Sequence, residues 1–208
     1  MKVLLLHAWP LDERMWKPQV VALSEAGFET VTPRLYGRGA TIEGWARQLL
    51  GEIEGPFVAV GASMGGYTSL ALARRAPERI AGMVLVGSPV TADSSERSSF
   101  REELIGQLRS KGVPPDLETH VDAEDLALAQ EAIRDRSDAS DVASSFGGPL
   151  LVCVGDRDEN LSVDAARAIA DAALRGSVRV FPDTGHLVSV ERPSEFNEVV
   201  LEFLAQWR

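Results

Sequence analysis

In the first half of the chain, short runs of wholly apolar residues alternate with segments whose apolar positions recur at helical spacing. Val3, Leu4, Leu5 and Leu6 form a run too short for a helix and suited to a strand covered on both faces. Trp16, Val20 and Leu23 fall on one helical stripe across 15–26, and Gly27 follows as a C-terminal stop. A second strand is predicted at 28–31. Ile42, Trp45, Leu49 and Leu50 mark a second helix that ends at Gly51. The third strand falls at 57–60, a helix at 65–76 stops before Pro77, and a fourth strand falls at 83–86. Strands alternating with helices imply a parallel sheet with helices on both faces.

The alternation then breaks. Residues 91–148 are polar, charged and helix-prone, with Pro114-Pro115 in the middle and no strand pattern. A strand at 150–154, a helix at 164–174, a strand at 178–181 and a helix at 195–207 complete the chain. The last helix buries Phe196, Val199, Val200, Phe203, Leu204 and Trp207. The expected fold is α/β: one domain over 1–208, a mainly parallel sheet of about six strands, and a helical lid insertion over 91–148.

The 208 residues are 45% hydrophobic and 25% charged, within the range of a globular domain with one substantial core. A net charge of −10 argues against nucleic acid or anionic lipid as partner. No apolar run approaches the length of a membrane span, and the opening residues are too short for a secretory signal core. The single cysteine, Cys153, lies inside an apolar strand and reads as a buried small hydrophobe. Lacking an internal disulfide partner and any Cys/His cluster with zinc spacing, the chain is expected in a reducing cytoplasm, with no metal.

Three strand ends carry candidate chemistry. Gly61-Ala62-Ser63-Met64-Gly65 follows a strand and opens a helix, the setting of a nucleophile elbow. Small residues at 61 and 65 avoid collision with adjoining backbone, and the Met64 N–H points from a helix N-terminus towards a forming oxyanion. Taken alone, the pentapeptide also fits a Gly-rich turn that packs or holds a phosphate. A serine nucleophile needs a base. His186 follows the last strand, where ligands bind in open parallel sheets, whereas a lone histidine is otherwise a packed or surface residue. His120 lies in the insertion and His7 ends the first strand. The third partner is an acid after the penultimate strand, Asp156 or Asp158, able to orient an imidazole. The order serine, aspartate, histidine is that of a hydrolase elbow fold.

Together these stretches resemble the α/β-hydrolase superfamily, most closely its compact bacterial enol-lactonases, aryl esterases and cofactor-free haloperoxidases. Similar segments run nearly end to end: Leu4–Asp12, Gly61–Tyr67, Pro77–Ile80, Arg136–Asp138, Val154–Asp158 and Gly185-His186 with Glu191-Arg192-Pro193. The resemblance implies Ser63 as nucleophile, His186 as general base and acid, and Asp158 as the acid, ahead of Asp156, with Asp93 after the preceding strand as an outside candidate. It implies an oxyanion hole from the N–H groups of Trp9 and Met64, substrate contacts from Trp9, Tyr36 and Met64, a structural His7, and no cofactor. The implied partner is a small ester or lactone. Acyl transfer, perhydrolysis, carbon–carbon cleavage and non-catalytic ligand binding use the same frame.

Departures are informative. Ala8 stands where relatives carry glycine, so a glycine-only backbone angle there would shift the oxyanion donor. Arg34 replaces a usual aspartate, Glu159 follows Asp158, and an N-terminal hairpin is missing, which suggests six strands rather than eight. Arg34 and Arg38 fit an anion clamp or, preferably on an acidic protein, ordinary loop ion pairs. Trp16, Trp45 and Trp207 read as core, and the acidic positions 118–135 as a solvated helical face.

Overall fold

The computed structural model describes residues Met1–Arg208. Six strands form one parallel sheet: β1 (Lys2–Leu6), β2 (Glu29–Val31), β3 (Phe57–Ala62), β4 (Ile80–Val86), β5 (Leu150–Gly155) and β6 (Gly176–Phe181). Their spatial order is β2-β1-β3-β4-β5-β6. The helices are α1 (Lys17–Glu25), α2 (Ile42–Glu52), α3 (Met64–Arg75), α4 (Ser95–Lys111), α5 (Ala123–Arg134), α6 (Ser140–Ser145), α7 (Val163–Ala172), α8 (Val188–Glu191) and α9 (Pro193–Leu204).

The order fixes which face each helix covers. The chain steps outward from β1 to β2, then returns past β1 to β3 and keeps that direction to β6. Right-handed crossovers therefore place α1 on one face and α2, α3 and α7 on the other. Strand alternation follows suit. Leu4 and Leu6 of β1 join the core with Trp45, Leu49 and Leu70, whereas Val3 and Leu5 join Leu23, Phe196 and Val200 on the opposite face. Helix α9 returns to α1's face, where Gln19 donates 3.0 Å to Asn197 Oδ1.

Element boundaries differ from the sequence pattern where the chain changes pitch. Residues Glu13–Trp16 form a 3-10 turn before α1, capped by the Asp12 carboxylate. The second strand is three residues long and lies at the sheet edge. The last helix stops at Leu204 and finishes in a 3-10 turn, whose Trp207 lies over Gly82 and edge-on to Phe203 at 5.5 Å. The segment 91–148 holds α4, α5 and α6 and no strand. Gly112, at φ 80°, ends α4 just before Pro114-Pro115.

His7 is a structural tie between the first strand and the loop after β2. Its ring is fully buried, Nε2 accepts the Leu35 N–H at 2.9 Å, and Tyr36 packs on it at 4.9 Å between ring centres. Accepting at Nε2 puts the proton on Nδ1, which faces the Ala8 carbonyl at 3.2 Å. Burial pulls the imidazole pKa down to about 4 from 6.5, against the Ala8 hydrogen bond, which favours the charged form. The unfolded chain therefore takes up this proton first. The stability tied to neutral His7 is complete above pH 6.5 and is lost as pH falls towards about 4, a loss of ~3 kcal/mol. Urea midpoints measured from pH 7 to pH 4 should fall more steeply for the native chain than for His7→Gln. Parallel declines would remove His7 from the acid sensitivity.

Candidate active site

The reversal of strand order leaves a crevice beyond the carboxyl ends of β1 and β3, where open parallel sheets bind ligands. Ser63 sits at the tip of β3 with φ 48° and ψ −109°, a left-handed conformation that costs a non-glycine residue energy. The turn is over-determined by its neighbours. Ser63 N–H donates to the Val86 carbonyl at 2.8 Å, and the Ser63 carbonyl accepts the N–H groups of Gly66 and Tyr67 at 2.9 and 3.2 Å. The buried Ser88 hydroxyl lies 3.2 Å from the same carbonyl. A Cβ on Gly65 would lie 2.0 Å from the Leu6 carbonyl oxygen, so α3 can start against β1 only without a side chain there. The Ser63 hydroxyl does not cap α3, and Ser63 lines the cavity above the crevice.

His186 comes from the loop after β6. Its Nδ1 lies 2.9 and 3.0 Å from the two carboxylate oxygens of Asp158. A carboxylate accepts, so Nδ1 carries the proton and Nε2 keeps its lone pair. The Asp158 carboxylate has no solvent-exposed surface, and its Oδ1 also accepts the Asn160 and Leu161 N–H groups at 2.8 and 3.2 Å. Ser63 and His186 line one cavity of about 600 Å³, in the range of small-molecule sites.

Two devices hold that pair together. Where β5 ends, a Cβ on Gly155 would lie 2.1 Å from the Thr184 carbonyl oxygen, so the two loops meet backbone to backbone. Arg157 N–H donates to the Thr184 carbonyl at 2.9 Å, and Asp156 Oδ1 accepts the Thr184 N–H at 3.2 Å. Asp156, the alternative acid, thus ties the loops and does not touch the imidazole. The second device is Glu191. Its two oxygens accept the N–H groups of Gly185 at 2.7 Å and Leu187 at 3.0 Å, the residues on either side of His186. Sequence reasoning gave Glu191 no role; its only trace was the stretch Glu191-Arg192-Pro193 within the resemblance.

The helices of the insertion close the cavity from above. Phe100, Arg101 and Leu104 of α4, and Gln130 and Ile133 of α5, line it together with Trp9 and Tyr67. The insertion is fastened to the sheet loops on several sides. Trp9 Nε1 donates to the Leu126 carbonyl at 3.2 Å, Thr119 Oγ1 to the Pro10 carbonyl at 2.7 Å, and Arg97 to Asn160 at 2.9 Å. The Trp9 backbone N–H has no protein acceptor. Ala8 adopts an ordinary negative φ and is fully buried, so the loop after β1 needs no glycine.

Other expectations are redrawn. Tyr36 lies away from the cavity lining. It is buried against His7, and its hydroxyl donates to the Leu11 carbonyl at 2.9 Å. Burial also pushes its phenol pKa upward. The Met64 side chain is fully buried in the core, which leaves only its backbone N–H at the first turn of α3 for a ligand. Asp93 is held by Arg101 and Arg136, far from any role with His186. Burial pushes its carboxyl up, but hydrogen bonds and charge from the two guanidinium groups outweigh that and hold it below the ordinary range. Arg38 forks onto Glu52 at 2.6 and 2.8 Å, and Arg34 reaches Asp125 at 3.4 Å, so both are loop ion pairs. Cys153 is fully buried, and burial pushes its thiol up to about 12, which leaves it unreactive.

A parallel sheet whose third strand opens into a strained serine turn, facing a histidine–aspartate pair across one cavity, defines the α/β-hydrolase class. Residues 3–199 match the Alpha/beta hydrolase family, and the chain belongs to it. It is similar to a thermophilic esterase from Thermogutta terrifontis, solved with malate bound, at 28% identity and TM-score 0.88, covering 99% of this chain and 90% of that one. It is also similar to the enol-lactonase from Burkholderia xenovorans LB400, at 26% identity and TM-score 0.77 with 98% and 90% covered. Over 92 residues, 41% of this chain, it is 39% identical to the pimeloyl-[acyl-carrier protein] methyl ester esterase of Aromatoleum aromaticum, spanning 36% of that protein. The chain spans less than two thirds of the length of the curated relatives it matches.

Removing the Glu191 carboxylate leaves two loop N–H groups without their acceptor. Glu191→Ala should lower stability by about 1–3 kcal/mol, the range for charge-assisted hydrogen bonds. The same change should speed amide exchange at Gly185 and Leu187 ahead of the rest of the chain. Unchanged exchange at both amides would mean that Glu191 does not hold the loop.

Proposed function

We propose that the chain is a serine hydrolase that cleaves a small carboxylic ester or lactone through an acyl-enzyme. The observation that carries this reading is the His186–Asp158 pair opening into the same cavity as the strained, uncapped Ser63. The curated relative at 39% identity over 92 residues is an esterase by name, and the thermophilic structure is an esterase as well, which supports ester chemistry.

In this reading, Asp158 holds the imidazole with its proton on Nδ1 and stabilises the imidazolium that forms. His186 Nε2 takes the Ser63 proton as Oγ attacks the carbonyl carbon. The tetrahedral oxyanion is met by the N–H groups of Met64, at the positive end of α3, and Trp9, each worth roughly 10²–10³-fold in rate. The C–O bond to the leaving alcohol breaks, and the alcohol leaves with the proton held by His186. Water, deprotonated by the same imidazole, then attacks the acyl-enzyme and releases the acid and free Ser63. The proton taken from Ser63 departs with the alcohol, His186 returns to Ser63 Oγ the one it takes from water, and water is the only co-reactant.

Ser63→Ala should abolish hydrolysis of p-nitrophenyl acetate and labelling by a fluorophosphonate while the melting curve stays cooperative. An unchanged rate would remove the mechanism. Asp158→Asn keeps the shape but loses the charge behind the imidazole, and should lower kcat by roughly 10³-fold or more. Asp156→Asn should change kcat far less, and the reverse ranking would move the acid to Asp156.

A further inference from the structure

The roof of the cavity carries a charge that the reaction scheme above does not use. Arg101 of α4 donates through Nε to Asp93 and through Nη1 to Gln130 Oε1 at 2.7 Å. Its Nη2 has no protein acceptor, and it lines the cavity with Ser63 and His186. Gln130 is 2% exposed. With its carbonyl oxygen turned to Arg101, its NH₂ group is left with no protein acceptor, and Gln130 lines the same cavity. Two sets of donors therefore reach the cavity wall from α4 and α5.

The charge around them is unbalanced. Asp93 has no exposed side-chain surface and serves two guanidinium groups, those of Arg101 and Arg136. Arg136 is further committed to the carbonyls of Ile133 at 2.8 Å and Thr91 at 2.9 Å, and lies over the Tyr67 ring at 4.1 Å. Two cations against one anion leave one positive charge, and Arg101 is the member that opens to the cavity. The remaining charged lining residue, Glu191, has both oxygens engaged by the N–H groups that flank His186 on the sheet side. A partly desolvated guanidinium with a free nitrogen is a receptor for an anion of planar, two-oxygen geometry.

We propose that Arg101 and Gln130 bind a free carboxylate on the substrate, so that the ester or lactone cleaved at Ser63 belongs to a dicarboxylic acid. This rests on the serine hydrolase reading above and specifies its substrate class. Arg101 anchors the far end of the acyl chain under the roof while the reacting carbonyl lies at the sheet rim. The anchor is rigid, because Asp93 and Gln130 fix the guanidinium plane before substrate arrives.

The test compares mono-4-nitrophenyl esters of succinic, glutaric and adipic acid with neutral 4-nitrophenyl alkanoates of matched chain length. For at least one length, native kcat/KM should favour the half-ester by tenfold or more. Arg101→Gln should bring that ratio close to one, chiefly through a raised KM, and Arg101→Lys should retain part of it. Removing Arg101 leaves Asp93 paired one-to-one with Arg136, and a cooperative thermal melt checks that the variant is folded. Titration with succinate, glutarate and adipate gives a readout separate from turnover: saturable binding to the native chain, lost in Arg101→Gln. Preference for neutral esters at every length, a half-ester preference that survives Arg101→Gln, or no dicarboxylate binding would each overturn the assignment. Absence of turnover on all esters, together with unlabelled Ser63, would instead overturn the hydrolase reading, and the titration alone would then decide the role of Arg101.

Discussion

Backbone contact at side-chain-free positions governs how closely the loops at the sheet's carboxyl rim can gather. Gly65 lets α3 begin directly against the end of β1, and Gly155 lets the end of β5 meet the loop that carries His186. With a Cβ at either position, atoms would overlap at near-bonding distance, and the loops would have to part. The site is therefore assembled by main-chain packing first and by side-chain hydrogen bonds second. The strained conformation of Ser63 persists because β4, Ser88 and the first turn of α3 all grip its backbone.

The electrostatics divide along the same line. On the sheet side, Asp158 and Glu191 are carboxylates satisfied by backbone N–H groups and by the imidazole, and they fix His186 from two directions. On the roof side, the buried carboxylate of Asp93 gathers two arginines and ties the loop after β4 to α4 and to the end of α5. An acidic protein thus presents a cation inside its cavity. The net charge of the chain and the charge at the cavity roof are set by different residues, so net charge says little about what the roof receives.

Much of the frame was legible in order along the chain. Apolar runs located six strands, and the serine, aspartate and histidine at their ends are local signals that survive without knowledge of the fold. Boundaries were less legible, because the 3-10 turn at Glu13–Trp16 and the short β2 share their apolar residues with the neighbouring elements. Tyr36 and Met64 are expected as substrate contacts from their place in the sequence, which says nothing about side-chain direction. One packs on His7 and the other points into the core.

The sequence alone determined the succession of strands and helices and the chemical types available at the strand ends, because both follow from local periodicity and local turn chemistry. Only the tertiary structure decided that Asp158 rather than Asp156 touches His186, that Glu191 grips the same loop, and that Arg101 and Arg136 share the single carboxylate of Asp93. Each of these depends on which distant segments the crossovers bring side by side. Pairing across 28 or 43 residues, as in Asp158–His186 and Asp93–Arg136, leaves no imprint on the spacing of either partner.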